Sequence, residues 1–359
     1  MNVERLHAII LSIKSEIDSI GIVSHLAQLT AHLQNVVSQP QQPTHQTKVA
    51  AAREEINTGL TSAASNDYSP AWRQTVSELG IDDLLGLRLK ERIDAIFLQN
   101  QITPQVALKK IREIEQSLNS CSEAINQMVA GFKSFGIEAE QLNPGEGEVG
   151  ILVPRPYLDN RFDELAKELK ELNGILTVMG EISTGEAEYF ELKSISTTDP
   201  FFVLGATLGV LSTISVAVKP IISAYKEILE VRVLHAQLAE KKITSERLKG
   251  ISDHAEEIMG NAIEQIKAEL LERYPGEDGG RKNELANALG PALKKLANRI
   301  DRGFNIEVRV EPLDDIEQES KDVQEQIKTI QSAMSEMEFM KIEGGPILNL
   351  PENTDNIVD

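Results

Sequence analysis

Cysteine is almost missing from this 359-residue chain; Cys121 is the only one. A lone thiol excludes an intramolecular disulfide and any cysteine-rich metal site, and it fits a reducing compartment. Basic residues are also scarce, 36 Lys and Arg against 56 Asp and Glu, for a net charge of −20. Nucleic-acid affinity rests largely on cations that neutralise phosphates, so neither DNA nor RNA is expected as a partner. The opening MNVERLHAIILSIKSEID has no basic leader, apolar block and small-residue cleavage site of a secretory signal. Cytoplasmic synthesis is therefore the expectation.

The motifs of common chemistries are missing too. No GxxxxGK[ST] phosphate loop, no GxGxxG after a strand and no GxSxG nucleophile elbow occurs. His25 and His32 lie seven apart on one helical face, whereas zinc pairs on a helix sit four apart beside an acidic residue. The stretch YPGEDGG at 274–280 is acidic and lacks the alternating oxygen ligands of a calcium loop, so it reads as a turn between helices. No catalytic, cofactor-binding or metal-ligating residue is assigned. The chain reads as non-enzymatic and without a cofactor.

What is present is mostly helix, and 41% hydrophobic content fits a folded protein. Leu6, Ile10, Ile13, Ile17 and Ile20 step by four and three. Ile22, Leu26, Leu29, Leu33 and Val36 repeat the steps displaced by two at Gly21, which predicts a kink or two helices in tandem. SQPQQPTHQT at 38–47 reads as a loop. Ser69-Pro70 and Thr103-Pro104 place a hydroxyl before a proline at the first helical position, so helices are expected to start at 70 and 104. Trp72, just after the first of these, reads as an anchor between helices. In the second helix Ala107, Ile111, Ile114, Leu118, Cys121, Ile125, Met128 and Phe132 form a heptad seam that buries the thiol.

Past residue 146 the pattern changes. Val149–Val153 is a short apolar run between Gly-rich and Pro-rich flanks and reads as a buried strand. A helix from Leu158 to Met179 follows, with Phe162, Leu165, Leu169, Leu172 and Leu176 on one face, then a strand over Glu188–Ile195. Strand, helix, strand is compatible with a parallel crossover. A third strand is expected where Phe304, Ile306, Val308 and Val310 alternate with Asn305, Glu307, Arg309 and Glu311, one face in the core and the other wet. Between the second and third strands lie helices over about 220–249, 250–274 and 282–302, the last ended by Gly303. Lys294, Lys295, Arg299 and Arg302 oppose the leucines of that last helix and read as a solvated face. After Pro312, Ile316, Val323, Ile327, Ile330, Met334 and Met337 form a further heptad seam, a candidate oligomerisation surface.

The expected fold class is thus mainly α with a small β component (α+β). It comprises an N-terminal helical bundle (1–142), a small three-strand sheet with a long helical insertion (146–312), a coiled-coil helix (313–341) and a mobile tail (342–359).

One segment divides the functional possibilities. FFVLGATLGVLSTISVAV at 201–218 carries no charge over eighteen residues. As a helix it would span about 27 Å, just under a bilayer's hydrocarbon core of about 30 Å. Its apolar members, Phe201, Phe202, Val203, Leu204, Leu208, Val210, Leu211, Ile214, Val216 and Val218, form a candidate membrane segment. Gly205 and Gly209 add a small-xxx-small spacing that lets helices approach closely. Acidic residues precede the run and basic ones from Lys219 to Lys249 follow it. The next stretch, with Ile221, Ile222, Tyr225, Ile228 and Leu229, is apolar over much of its circumference and needs burial on several sides. The first expectation is a non-enzymatic, cytoplasmic but membrane-associated helical protein. It would form a homo-oligomer or bind a helical partner, engage lipid through this segment, and act as a bacterial membrane-disrupting effector. A helical bundle with an apolar segment midway is similar in layout to alpha-helical pore-forming toxins, although no diagnostic motif is shared and the three strands depart from that layout. The alternative is a soluble cytoplasmic scaffold or regulatory subunit that buries the segment and acts through coiled-coil contacts.

Overall fold

The computed structural model describes residues 2–351 except 197–199, 241–244, 312, 314, 341, 343 and 344, and leaves out the side chains of 234–240, 245–249 and 251. The chain is mainly helical with a small antiparallel sheet, an α+β fold, and divides into compact units at 1–141 and 142–359.

The first unit is all helical: α1 (Val3–Ile20), α2 (Ile22–Ser38), α3 (Pro43–Thr61), α4 (Pro70–Glu78), α5 (Gly86–Gln99) and α6 (Pro104–Ser134). The phase slip at residue 21 is a break between tandem helices. Gly21 takes a left-handed φ of 65°, donates to the Ile17 carbonyl and ends α1 where α2 begins. Pro43 opens α3, so the connection expected over 38–47 shrinks to residues 39–42; Pro43 is well suited to a first helical turn. The α4 and α6 starts fall at Pro70 and Pro104, with Ser69 capping the Trp72 amide. Ile13, Leu26, Leu29, Ile56, Leu89, Ile93, Ile111 and Leu118 form the core, and Cys121 is buried at its edge. Burial raises the Cys121 thiol pKa.

The second unit is built on four strands, β1 (Gly147–Leu152), β2 (Glu191–Ser196), β3 (Phe201–Ala206) and β4 (Asn305–Val310), in the order β2-β3-β1-β4. Helix α7 (Phe162–Thr184) links β1 to β2. Helices α8 (Leu208–Glu240), α9 (Ser245–Arg273) and α10 (Gly279–Asp301) link β3 to β4, and α11 (Lys321–Glu336) follows. Every neighbouring pair is antiparallel, with Val149 opposite both Leu204 and Val308. β1 and β2 therefore point the same way, but β3 lies between them. This is the connectivity of the split βαβ, ferredoxin-like arrangement, with three helices in its second crossover.

Three strands were expected and four are present. β3 is the additional one, and it consists of the first six residues of the apolar segment. A strand hydrogen-bonded on both sides and covered on both faces has no need of polar alternation, so it reads as a continuous apolar run. α8 then starts at Leu208, with the Thr207 carbonyl accepting from Leu211 N, and continues through Pro220.

Two faces are also turned differently from their periodicity. In α7 the buried stripe is Glu168, Leu172, Ile175, Met179 and Ile182, while Phe162 is 85% exposed. In β4 both faces are buried, including Asn305, Glu307 and Arg309, and Arg309 lies 3.5 Å from the Glu148 carboxylate of β1. The polar alternation of β4 thus marks a second packed layer.

Residues 142–351 share one core, so α11 and the segment after it are part of the second unit. The tail expected to be mobile from 342 packs at Ile347, Leu348 and Leu350, which are all buried; 352–359 lie outside the described residues, as do Pro312 and Lys241–Lys242.

Candidate functional site

The proposed membrane segment is split between two elements. Phe201, Phe202, Val203, Leu204 and Gly205 belong to β3, whereas Leu208, Gly209, Val210, Leu211, Ile214, Val216 and Val218 belong to α8. Of residues 201–218 only Thr207 is exposed. The glycine pair spans the junction of strand and helix, so it presents no small-residue helix face. α8 packs against α7, α9, α11 and the sheet. Among the described residues, Leu208–Val233 is the one helix long and apolar enough to cross a membrane, and 72% of its apolar window is buried.

The candidate oligomerisation seam is likewise turned inward. Ile327, Ile330, Met334 and Met337 are buried, and α11 packs on α8 and β4 of its own unit, leaving Ile316 and Val323 partly covered. A heptad spacing specifies an apolar stripe but not whose chain covers it.

The polar face of α10 is the clearest concentration of chemistry, and it is not solvated. Lys295, Asn298, Arg299 and Asp301 are all buried. Arg299 forks onto Glu168, its Nε bonding Oε1 and its Nη2 lying 3.2 Å from Oε2, while Tyr157 donates to Oε2 at 3.2 Å. Lys295 donates to Glu171 at 2.7 Å, and this bond lowers the Glu171 carboxyl below its ordinary range. Burial first, then the Glu168 charge, raises the Tyr157 phenol. Lys294 is partly covered, and Arg302 lies over the Tyr157 ring at 5.8 Å.

Next to this face Asp301 is fully buried. Its Oδ1 accepts from Arg232 at 2.6 Å and from Tyr225 at 2.7 Å, and Arg232 also donates to Tyr225. Burial, reinforced by the Asp301 charge, pushes the Tyr225 phenol strongly upward. Oδ2 accepts the backbone amides of Ile347 and Leu348, both at 2.8 Å. Asn298 pairs with both backbone groups of Leu350, donating to its carbonyl at 3.0 Å and accepting its amide at 3.2 Å. Lys295, Asn298 and Arg299 occupy one face at i, i+3 and i+4, with Asp301 beside it. From sequence alone such a stripe is indistinguishable from a solvated face. The available signal was on α7, where Glu168 and Glu171, one turn apart, complement the charges of Arg299 and Lys295, also one turn apart.

None of the buried charges of α10 lines the cavity of the sheet–helix core. The cavity in the sheet–helix core is about 20 Å³ and lined by apolar side chains including Val149, Ile175, Ile214 and Leu296. An open cleft of about 530 Å³ in the first unit is lined by Ser12, Ser15, Glu16, Ser19 and Ser62 among others. Its Glu16 carboxylate is engaged in structure, accepting the Ser65 amide at 2.7 Å and hydroxyl at 3.0 Å and the Gly86 amide at 3.3 Å. Trp72 is buried with its ring edge-on to Tyr68 at 5.2 Å, and His25 lies 3.6 Å from Glu55. No group of three His, Cys, Asp or Glu side chains suited to a metal occurs among the described residues. Comparison with protein-family models, curated proteins and solved structures returns no match.

Proposed function

We propose that this chain is a non-enzymatic scaffold or regulatory subunit that acts through protein–protein contacts, with its apolar midsection serving its own core. The observation that carries this reading is the enclosure of residues 201–218, of which the first third lies inside the sheet and the rest among helices. Buried charges committed to ion pairs within the second unit support it, since such groups hold elements in register instead of facing a reactant. Apolar side chains for a partner lie elsewhere. Leu98, Ile102 and Val106 are exposed around the α5–α6 turn, and Tyr189, Leu192 and Ile195 are exposed on and beside the edge strand β2. A helical partner or a second copy of the chain would be recognised at such surfaces.

Val210→Asp tests the reading. Val210 is fully buried, and an unpaired charge there is expected to cost on the order of 4 kcal/mol or more and to abolish cooperative unfolding. The wild-type chain should stay in the soluble fraction after carbonate treatment and release no dye from anionic vesicles. Dye release by the wild type, lost in a Val210→Asp protein of unchanged circular dichroism, would overturn the scaffold reading.

A second reading, membrane engagement as an effector, is favoured by one observation: Leu208–Val233 has the length and composition of a span. It requires α8 to leave the sheet and four helices, α7, α9, α10 and α11, so the same vesicle measurement separates the two.

A further inference from the structure

Residues 345–351, Gly-Pro-Ile-Leu-Asn-Leu-Pro, have no regular secondary structure yet are held along their whole middle. Ile347, Leu348 and Leu350 are buried and join the core of the second unit. The polar contacts come from helix side chains and go to the main chain of the segment. Asp301 takes two consecutive amides, Asn298 takes the amide and carbonyl of one residue, and Glu256 of α9 accepts the Asn349 amide at 3.3 Å. Side chains that pair with the N–H and C=O of such a segment recognise backbone without regard to residue type, and two consecutive amides meeting one Asp301 oxygen mark a locally turned backbone. The buried apolar positions Ile347, Leu348 and Leu350 then supply the sequence preference.

The receptor side is built independently of its occupant. Arg232 and Tyr225 hold Asp301 Oδ1 from α8, opposite the Oδ2 atom that meets the segment. The carboxylate therefore keeps its charge partner and its orientation when the two amides leave. The segment follows α11 in the chain, and its polar contacts are made to side chains of α9 and α10.

We propose that the surface formed by α10 and Glu256 of α9 is a docking site for an apolar peptide of the pattern Ile-Leu-x-Leu without regular secondary structure, and that residues 345–351 are its intramolecular occupant. A partner protein carrying such a segment displaces them. This rests on the protein-binding reading above and names the site and the chemistry of its partner.

The test uses the full chain and a fluorescein-labelled Gly-Pro-Ile-Leu-Asn-Leu-Pro peptide followed by anisotropy. In the wild type the tethered segment competes, so binding should be weak. In the Leu348→Asp/Leu350→Asp chain, binding should tighten about tenfold or more, because effective concentration no longer favours the internal copy. Adding Asn298→Ala should weaken it again about tenfold, because two buried backbone groups lose their partner. A folded double variant that does not bind the peptide, or binds it equally with Asn298→Ala, overturns the proposal. If the double variant does not fold, a protease site inserted between residues 344 and 345 of the wild type allows the segment to be cut in place. Exchange of the cut fragment for labelled peptide supports the proposal, and a fragment that never exchanges overturns it. Either failure leaves the vesicle and carbonate results untouched, so the scaffold reading stands or falls separately.

Discussion

Arg299 and Glu168 are side chains that sequence patterns place in water, yet they are 3% and 5% exposed. Each desolvated ion costs several kcal/mol, and only a matched, hydrogen-bonded counter-ion offsets that. The arrangement therefore penalises alternatives more than it stabilises the native state, because any slip of α7 against α10 strands a buried charge. Glu171 offers a titration that reads this out. Its carboxyl is lowered by the Lys295 bond, so the stability it contributes is fully present above the ordinary glutamate value of 4.5 and lost as pH falls through the lower folded value. Glu171→Gln should destabilise the protein at pH 7 by about 1–2 kcal/mol, less than a fully buried pair would, because Glu171 is 40% exposed. Urea midpoints measured from pH 7 to pH 3 should show the two proteins converging at the acid end. A constant gap would remove Glu171 from the account.

At the scale of elements, the informative case is the apolar segment that serves as two. Phe201–Ala206 pairs with β1 on one side and β2 on the other, and residues from Leu208 form a helix lying on the same sheet. Their close approach depends on Gly147. A Cβ there would collide with a Leu211 methyl and lie 2.9 Å from the Arg309 carbonyl oxygen, a backbone atom that cannot step aside. Gly147→Ala is therefore expected to cost about 1–3 kcal/mol by overpacking, read as a lowered thermal midpoint with the first unit unaffected. An unchanged midpoint would mean that α8 is not seated as described. The α6 start and the α1–α2 break were legible because local chemistry, a proline at the first helical position or a glycine at a phase slip, decides them, although the Thr103 hydroxyl caps no amide of α6. β3 was not, since an uncharged run suits a buried strand and a buried helix equally. Asp199-Pro200 ahead of it and Thr207 after it were the only punctuation.

For the whole molecule, the cores of the two units share no residue. The stretch 1–141 expressed alone should accordingly give a soluble helical protein with a cooperative thermal transition, followed by circular dichroism. A chain that melts without a transition would show that the division is one of geometry and not of stability. In the second unit residues 347–350 add to the core, so a chain ending at residue 344 should keep a cooperative transition at a lowered thermal midpoint.

The α1–α2 break, the starts of α4 and α6, the α+β class and the burial of Cys121 follow from the chain's own pattern, because sterics, capping and periodicity act within a few residues. What covers each face depends on packing between distant elements. The α11 seam meets its own α8, the basic stripe of α10 meets the acids of α7, and the midsection meets the sheet. Burial is a property of two surfaces, and a one-dimensional pattern describes one of them.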